Sequence, residues 1–259
     1  MFETLDYSVT DGVAVIRLDR AAQHNAVNSV MHNELPSAWQ RFKRDPAAVV
    51  AILTGAGNKA FCSGADIADL PAVASDDDRT EIRWTARQND VWKPVICAVN
   101  GMAVGGGLHF VADSDIVIAA DTASFFDTHV RVGLVAGLEP VALCRRMPME
   151  AVLRLALTGG GERLDAQRAR ELGLVGEVVA ADQLWLRALE LAELVKRNSP
   201  AALARTKQAI WQAQDLHLET ALDNAWALIS AHNEGPDFAE GTRAFLEKRK
   251  PRWQPYHEE

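Results

Sequence analysis

The sequence is poor in the residues that mark several common kinds of protein. Only three of its 259 residues are cysteine, an odd number with no CxxC spacing. Neither a disulfide framework nor a thiolate metal knuckle is encoded. Cys62, Cys97 and Cys144 sit among apolar or small neighbours and read as buried free thiols of a reducing compartment. Positive charge is also in deficit: 27 Lys and Arg against 35 Asp and Glu leave a formal charge of −8, which argues against non-specific binding to nucleic acid or an anionic membrane. No apolar run approaches the ~20 residues of a membrane span. The opening Met1-Phe-Glu-Thr-Leu-Asp6 has no charged segment followed by an apolar one, so a cytoplasmic location is expected.

Three motif absences narrow the chemistry. There is no G-x-x-x-x-G-K-[ST] loop, no G-x-S-x-G elbow, and no HExxH-type spacing among the seven histidines. Nucleotide hydrolysis by a P-loop, α/β-hydrolase chemistry and a metal site thus lose their usual cues, and no metal is expected. Gly55-Ala-Gly-Asn-Lys-Ala60 fits G-x-G-x-x-A, but it runs on into Phe61-Cys-Ser-Gly64, a second turn, where a dinucleotide-binding unit would start a helix. A nicotinamide cofactor is not expected.

What is present is an ordinary globular composition, 48% hydrophobic and 24% charged, organised around glycine turns. Residues 13–18 form a short β-type run after Asp11-Gly12, which predicts an opening hairpin. Asn28 or Ser29 caps a helix running to about Arg44, and Asp45-Pro46 stops it. Residues 49–54 and 94–99 are continuous apolar runs, as expected of strands covered on both faces. Each ends in a glycine turn, 55–64 and 100–107. The acidic stretch Ser75-Asp-Asp-Asp78 precedes a helix predicted over about 79–91. Residues 115–120 and 123–126 read as two more strands. The strand spacing is irregular and no fixed-period repeat is found. From Met149 the period turns helical, with segments at 151–157, 165–172, 182–198, 200–215, 218–233 and 236–248, interrupted by a short β-type run at 177–180. The pattern predicts an α/β core over 1–198 followed by a helical C-terminal region over 199–259, a lid or an oligomerisation element. Trp211, Trp226 and Phe245 there read as core or interface.

In Asn100-Gly-Met-Ala-Val-Gly-Gly-Gly-Leu-His-Phe110, three consecutive glycines lead into a helix start. Glycine repeats allow a close approach to the main chain, and the first N–H groups of a helix have no partner within it. With no phosphate-binding lysine here, the alternative use of such amides is to polarise a carbonyl oxygen. Two glycine turns after two strands can face one pocket and aim two N–H groups at one oxygen. A thioester carbonyl suits that arrangement, because stabilising its enolate makes the adjacent carbon acidic.

Phe61-Cys-Ser-Gly-Ala-Asp-Ile67, Lys93-Pro-Val-Ile-Cys-Ala-Val-Asn-Gly-Met-Ala-Val-Gly-Gly-Gly107, Leu157-Thr-Gly-Gly160 with Arg170-Glu-Leu-Gly-Leu-Val175, and Glu240-Gly-Thr-Arg-Ala-Phe-Leu-Glu-Lys-Arg249 together resemble the crotonase, or enoyl-CoA hydratase/isomerase, superfamily across nearly the whole chain. The resemblance implies a spiral of ββα turns with a helical C-terminal trimerisation region, a homotrimer or a dimer of trimers, and an acyl-CoA substrate, with coenzyme A entering only as part of that substrate. It puts the two oxyanion amides on Ala65 and Gly106. It puts the coenzyme A contacts on Gln23, His24 and Ala26, on Ala65, Asp66 and Ile67, and on Phe245 and Lys248, the last two commonly from a neighbouring subunit.

The departures bear on mechanism. A hydratase of this family carries one glutamate two residues after the glycine run and another about twenty residues later; here those places hold His109 and His129. An imidazole titrates near neutrality, ordinarily at about 6.5, and two can divide acid and base roles. They can equally fill space in a pocket that only binds, or whose chemistry lies elsewhere. Asp127 can orient His129, and Glu139 can reach the pocket; each can equally be a solvated loop acid. Three functions follow as expectations: hydration or isomerisation of an enoyl-CoA, hydrolytic carbon–carbon cleavage or decarboxylation through the same enolate, and a non-catalytic acyl-CoA binding subunit.

Overall fold

The computed structural model describes residues 1–69 and 82–258. Two sheets form its centre. β1 (Leu5–Thr10) and β2 (Val13–Leu18) are the opening hairpin, and from β2 the large sheet is parallel through β3 (Val50–Gly55), β5 (Val95–Val99), β7 (Ile116–Ala120) and β10 (Glu177–Val179). The small sheet runs β4 (Ala60–Cys62), β6 (Met102–Val104), β8 (Ser124–Phe126) and β9 (Leu164–Asp165). The pairs β3–β4, β5–β6 and β7–β8 each place their first strand in the large sheet and their second in the small one. Three stacked turns result. Their structural repetition has no fixed sequence period, because a turn needs only an apolar strand and a tight corner, while the connections that follow differ in length.

The apolar runs separate cleanly into two cores, as alternation along a strand requires. On β3, Ala51 and Leu53 join the core behind α1 (Ser29–Arg44) and α2 (Leu108–Ala112), which includes Trp39, Phe42, Phe61 and Phe110. Val50 and Ile52 face the other way, with Ile96, Ala98 and Ile118, onto Leu184, Ala188 and Ala192 of α6 (Leu184–Lys196). A strand buried on both faces has no polar side, which is why β3 reads as a continuous apolar run.

Most boundaries read from the sequence fall within a residue or two. Asn28 caps α1 by accepting from the Met31 amide, and Asp165 caps α5 (Ala166–Glu171) in the same way. After α4 (Met149–Leu157), the tail comprises α7 (Pro200–Ala213), α8 (Leu218–Asn233) and α9 (Pro236–Leu246). Three readings need correction. The helix expected over 79–91 is absent from its described part: from Ile82 to Val91 the chain makes one 3-10 turn, Arg87–Asn89, held by Asn89 and Gln88 side chains that bond backbone groups. Residues 79–81 and the acidic stretch 75–78 lie outside the described residues. A short helix, α3 (Leu138–Leu143), was not anticipated. Cys144 is exposed, while Cys62 and Cys97 are buried. In the tail, Trp211 is buried and donates to Asp115, whereas Trp226 and Phe245 face outward.

Candidate active site

The site grows from the way the two glycine turns pack. The glycine run forms a 3-10 turn, Gly105–Gly107, continuous with α2. A methyl placed on Gly107 would lie 2.3 Å from the Cys62 carbonyl oxygen, so no side chain fits there and the turn sits directly on the end of β4. On the other loop Gly64 has φ +87°, a left-handed conformation that suits glycine, and a methyl there would lie 2.9 Å from the Gly106 nitrogen. A methyl on Gly106 would in turn lie 3.5 Å from the Ala65 nitrogen.

The two amides expected to act together are therefore neighbours, and both point away from their own secondary structure. Ala65 bridges Val27 in parallel fashion: Val27 N–H donates to Gly64 O and Asp66 N–H donates to Val27 O, at 2.8 and 2.9 Å. By alternation the N–H of Ala65 itself faces the opposite side. Gly106 is the second residue of its turn, where a helical N–H has no preceding carbonyl to bond.

The same bridge gathers the expected coenzyme A loop. Val27 joins residues 20–27 to residues 64–67, Ser63 N–H donates to His24 O, and Arg20 Nη1 reaches Asp66 Oδ2 at 2.9 Å and Ala26 O at 2.6 Å. Fully buried Asn25 fixes the loop by accepting from Arg20 N–H and donating to the Ala56 and Ala60 carbonyls. Gln23, His24 and Ile67 remain exposed at its rim, with Ala26 buried beneath. Phe245 and Lys248 lie at the end of the C-terminal helix: Phe245 is 85% exposed, and Lys248 is also exposed in the turn that ends α9.

His109 and His129 are brought together through Glu139. His109, buried in α2, places Nε2 3.2 Å from Glu139 Oε1, and His129 Nε2 lies 3.9 Å from the same oxygen. The other ring nitrogen of His129, Nδ1, bonds both oxygens of fully buried Asp127 at 3.0 Å, and Asp127 Oδ1 also accepts the His129 backbone N–H. The His129 ring lies against the glycine turn; a methyl on Gly105 would sit 3.3 Å from its Cε1. The hydrogen bond that His129 donates to Asp127 holds its imidazole above its ordinary pKa, opposed by burial and reinforced by the charge of Glu139. Burial alone would raise the Glu139 carboxyl, but the hydrogen bond and charge of His109, with the charge of His129, bring it net below its ordinary value. Neither acid is a solvated loop residue.

One participant was not singled out from the sequence. Trp84 stacks on Phe110, sets its edge against His109, and stands 2.8 Å from where a Gly106 methyl would be. It is fixed by its carbonyl accepting from Trp39 Nε1 and by its own Nε1 donating to His32 Nδ1. Nothing in the spacing of residues around it marks this ring. The G-x-G-x-x-A match runs into β4 and no helix, so it is a corner of the fold.

These stacked turns with an amide cradle at their glycine corners define a crotonase fold. Solved structures agree: an enoyl-CoA hydratase/isomerase from Mycobacterium paratuberculosis superposes with a TM-score of 0.91 at 40% identity, covering 99% of this chain and 100% of that one. An enoyl-CoA hydratase from Mycobacterium tuberculosis gives 0.88 at 31%, covering 98% and 99%. The chain belongs to the enoyl-CoA hydratase/isomerase family, whose model matches residues 8–255. It is 35% identical to (E)-benzylidenesuccinyl-CoA hydratase of Thauera aromatica over 94% of this chain and 96% of that one, and 33% identical to 1,2-epoxyphenylacetyl-CoA isomerase of Escherichia coli over 97% and 98%.

Proposed function

We propose that the protein adds water to the double bond of an enoyl-CoA, or moves that bond, by way of a thioester enolate. The reading rests above all on the placement of one imidazole–carboxylate cluster beside the amide pair of Ala65 and Gly106. The thioester oxygen takes hydrogen bonds from those two N–H groups, which stabilise the charge it gains. In hydration the oxygen of water bonds to the β-carbon, its proton passes to the cluster of His109, His129 and Glu139, and the cluster returns a proton to the α-carbon. In isomerisation the cluster removes a proton from one carbon and returns it to another. Hydration makes the enzyme a lyase and isomerisation does not; neither needs a cofactor beyond the coenzyme A of the substrate.

The adenine and pantetheine end of coenzyme A lies along Gln23, His24 and Ala26 and along Ala65, Asp66 and Ile67. Phe245 and Lys248 serve the same ligand from a neighbouring copy. The exposed apolar side chains Val135, Val141, Leu157, Leu218, Trp226 and Phe245 support a homotrimer or a dimer of trimers, with α7–α9 as the trimerisation region of a core that ends near residue 198. The free thiols support a cytoplasmic setting. No described helix is long and apolar enough to cross a membrane.

A second reading, hydrolytic carbon–carbon cleavage of a β-keto acyl-CoA, is favoured by the Asp127–His129 pair. Such a pair activates a water for attack on a carbonyl. The experiment is mass spectrometry of the protein incubated with enoyl-, β-keto- and malonyl-type CoA thioesters, beside His109→Ala and His129→Ala. Gain of one water, or a shifted double bond, that depends on His129 supports the first reading. A shortened or opened skeleton supports the second. Bound thioesters left unchanged contradict both and favour a binding subunit.

A further inference from the structure

The two histidines replace two glutamates, yet the structure does not treat them alike. His129 has Nδ1 fastened to Asp127 and is the more open ring, its side chain 22% exposed against 5% for His109. His109 is packed edge-on to Trp84 and spends Nε2 on Glu139. An ionised carboxylate only accepts hydrogen bonds, so the ion-pair contact at 3.2 Å favours an Nε2–H on His109, and the double contact to Asp127 favours an Nδ1–H on His129.

We infer that Glu139 is a positioning residue that divides the labour of the pair, locking His109 as an Nε2–H donor and leaving His129 Nε2 as the nitrogen that exchanges protons with substrate. This deepens the reading given under Proposed function and rests on it. The α3 helix is well suited to the task. Leu138 and Val141 face outward, while Glu139, its one charged residue, turns inward with Pro140 and Leu143. Among the described residues, the groups facing His129 are Asp127 from the end of β8, Glu139 from α3 and the backbone of Gly105; those facing His109 are Trp84 and Glu139. Glu139 touches both rings, so its charge also helps keep His129 protonated, in line with the direction of the His129 shift.

The consequence is an asymmetry that two interchangeable imidazoles would not have. Glutamine at 109 can still donate an N–H to Glu139, although it cannot carry a proton. His129→Gln should therefore lose about a hundredfold or more of turnover, the ordinary contribution of a general acid or base, and His109→Gln should lose clearly less. Glu139→Gln should move the acidic limb of the rate profile, where His129 Nε2 becomes protonated, to lower pH, as removing a nearby negative charge does, and Glu139→Asp should restore part of it.

The deciding measurement needs no substrate. Long-range proton–nitrogen correlation spectra of the wild-type protein near pH 8 report which ring nitrogen of each histidine carries the proton. The expected result is opposite tautomers, Nε2–H for His109 and Nδ1–H for His129, with the His129 titration moving down in Glu139→Gln. The same tautomer on both rings, or an unmoved His129 titration, overturns the inference. So does equal loss of turnover in the two glutamine variants. Opposite tautomers with no thioester turned over would uphold the division and remove the proposed reaction instead.

Discussion

Gly106→Ala tests the amide cradle at the point where it is tightest. The backbone at Gly106 has no left-handed strain to exploit, so the effect of the change is steric. The new methyl would lie 2.8 Å from Trp84 Cζ3 and 3.4 Å from its Cη2. Carbon atoms settle at about 3.5–4.0 Å, so roughly 0.7 Å or more must open. Trp84 cannot yield easily, being held by Trp39, by His32 and by its stack on Phe110. The glycine turn moves instead and takes the Gly106 N–H with it. An oxyanion donor works only within about 2.7–3.1 Å, and loss of one typically lowers kcat by about 10²–10³, or about 3–4 kcal/mol of transition-state stabilisation. Overpacking should lower folding stability by about 1–3 kcal/mol. The assay is steady-state turnover of the thioester identified by mass spectrometry, with thermal melting of the same sample. A folded Gly106→Ala protein that keeps kcat within threefold would refute the reasoning, because the developing oxyanion would then not depend on this amide.

Three further outcomes follow from the same contacts. Asp127→Asn weakens the bond that raises His129. A raised histidine stabilises the fold fully below its unfolded value of about 6.5, and the contribution fades as pH rises through the folded value. The loss of melting temperature in Asp127→Asn should thus be largest near pH 6 and shrink toward pH 9; a loss independent of pH would contradict it. Asn25→Ala removes one accepted and two donated hydrogen bonds at a fully buried position with φ +55°. It should reduce stability by about 2–4 kcal/mol in urea titration, and a value below 1 would show that the loop stands without it. Burial pushes the Cys62 and Cys97 thiols up to about 12, so in the native protein at pH 8 a thiol reagent should label no more than one cysteine, Cys144, and all three after unfolding. Fast labelling of two or three native thiols would contradict the packing of β4 and β5.

Much of this architecture was legible in local chemistry. Continuous apolar strands, the Asn28 cap and the helical period after Met149 are decided by neighbours within a few residues, and the structure places them within a residue or two. The closeness of the two glycine loops was also readable, because glycines at 64 and 105–107 admit backbone approaches that other residues forbid. What was not legible depends on distant partners. The segment after Ile82 has helical spacing, but Trp84 is drawn into the core by Trp39 and His32, and Asn89 takes backbone carbonyls that a helix would use. α3 is too short for its period to register. Glu139 lies thirty residues from His109, and only the folded chain shows that one carboxylate serves both histidines.

The central claim is that this site makes a thioester enolate, and the most direct test does not require the natural substrate. Short saturated acyl-CoA thioesters would be incubated with the protein in deuterium oxide and the α-carbon followed by mass spectrometry. The account predicts deuterium at the α-carbon, lost in His129→Gln and strongly reduced in Gly106→Ala. Thioesters that bind at saturating protein yet gain no deuterium would contradict it.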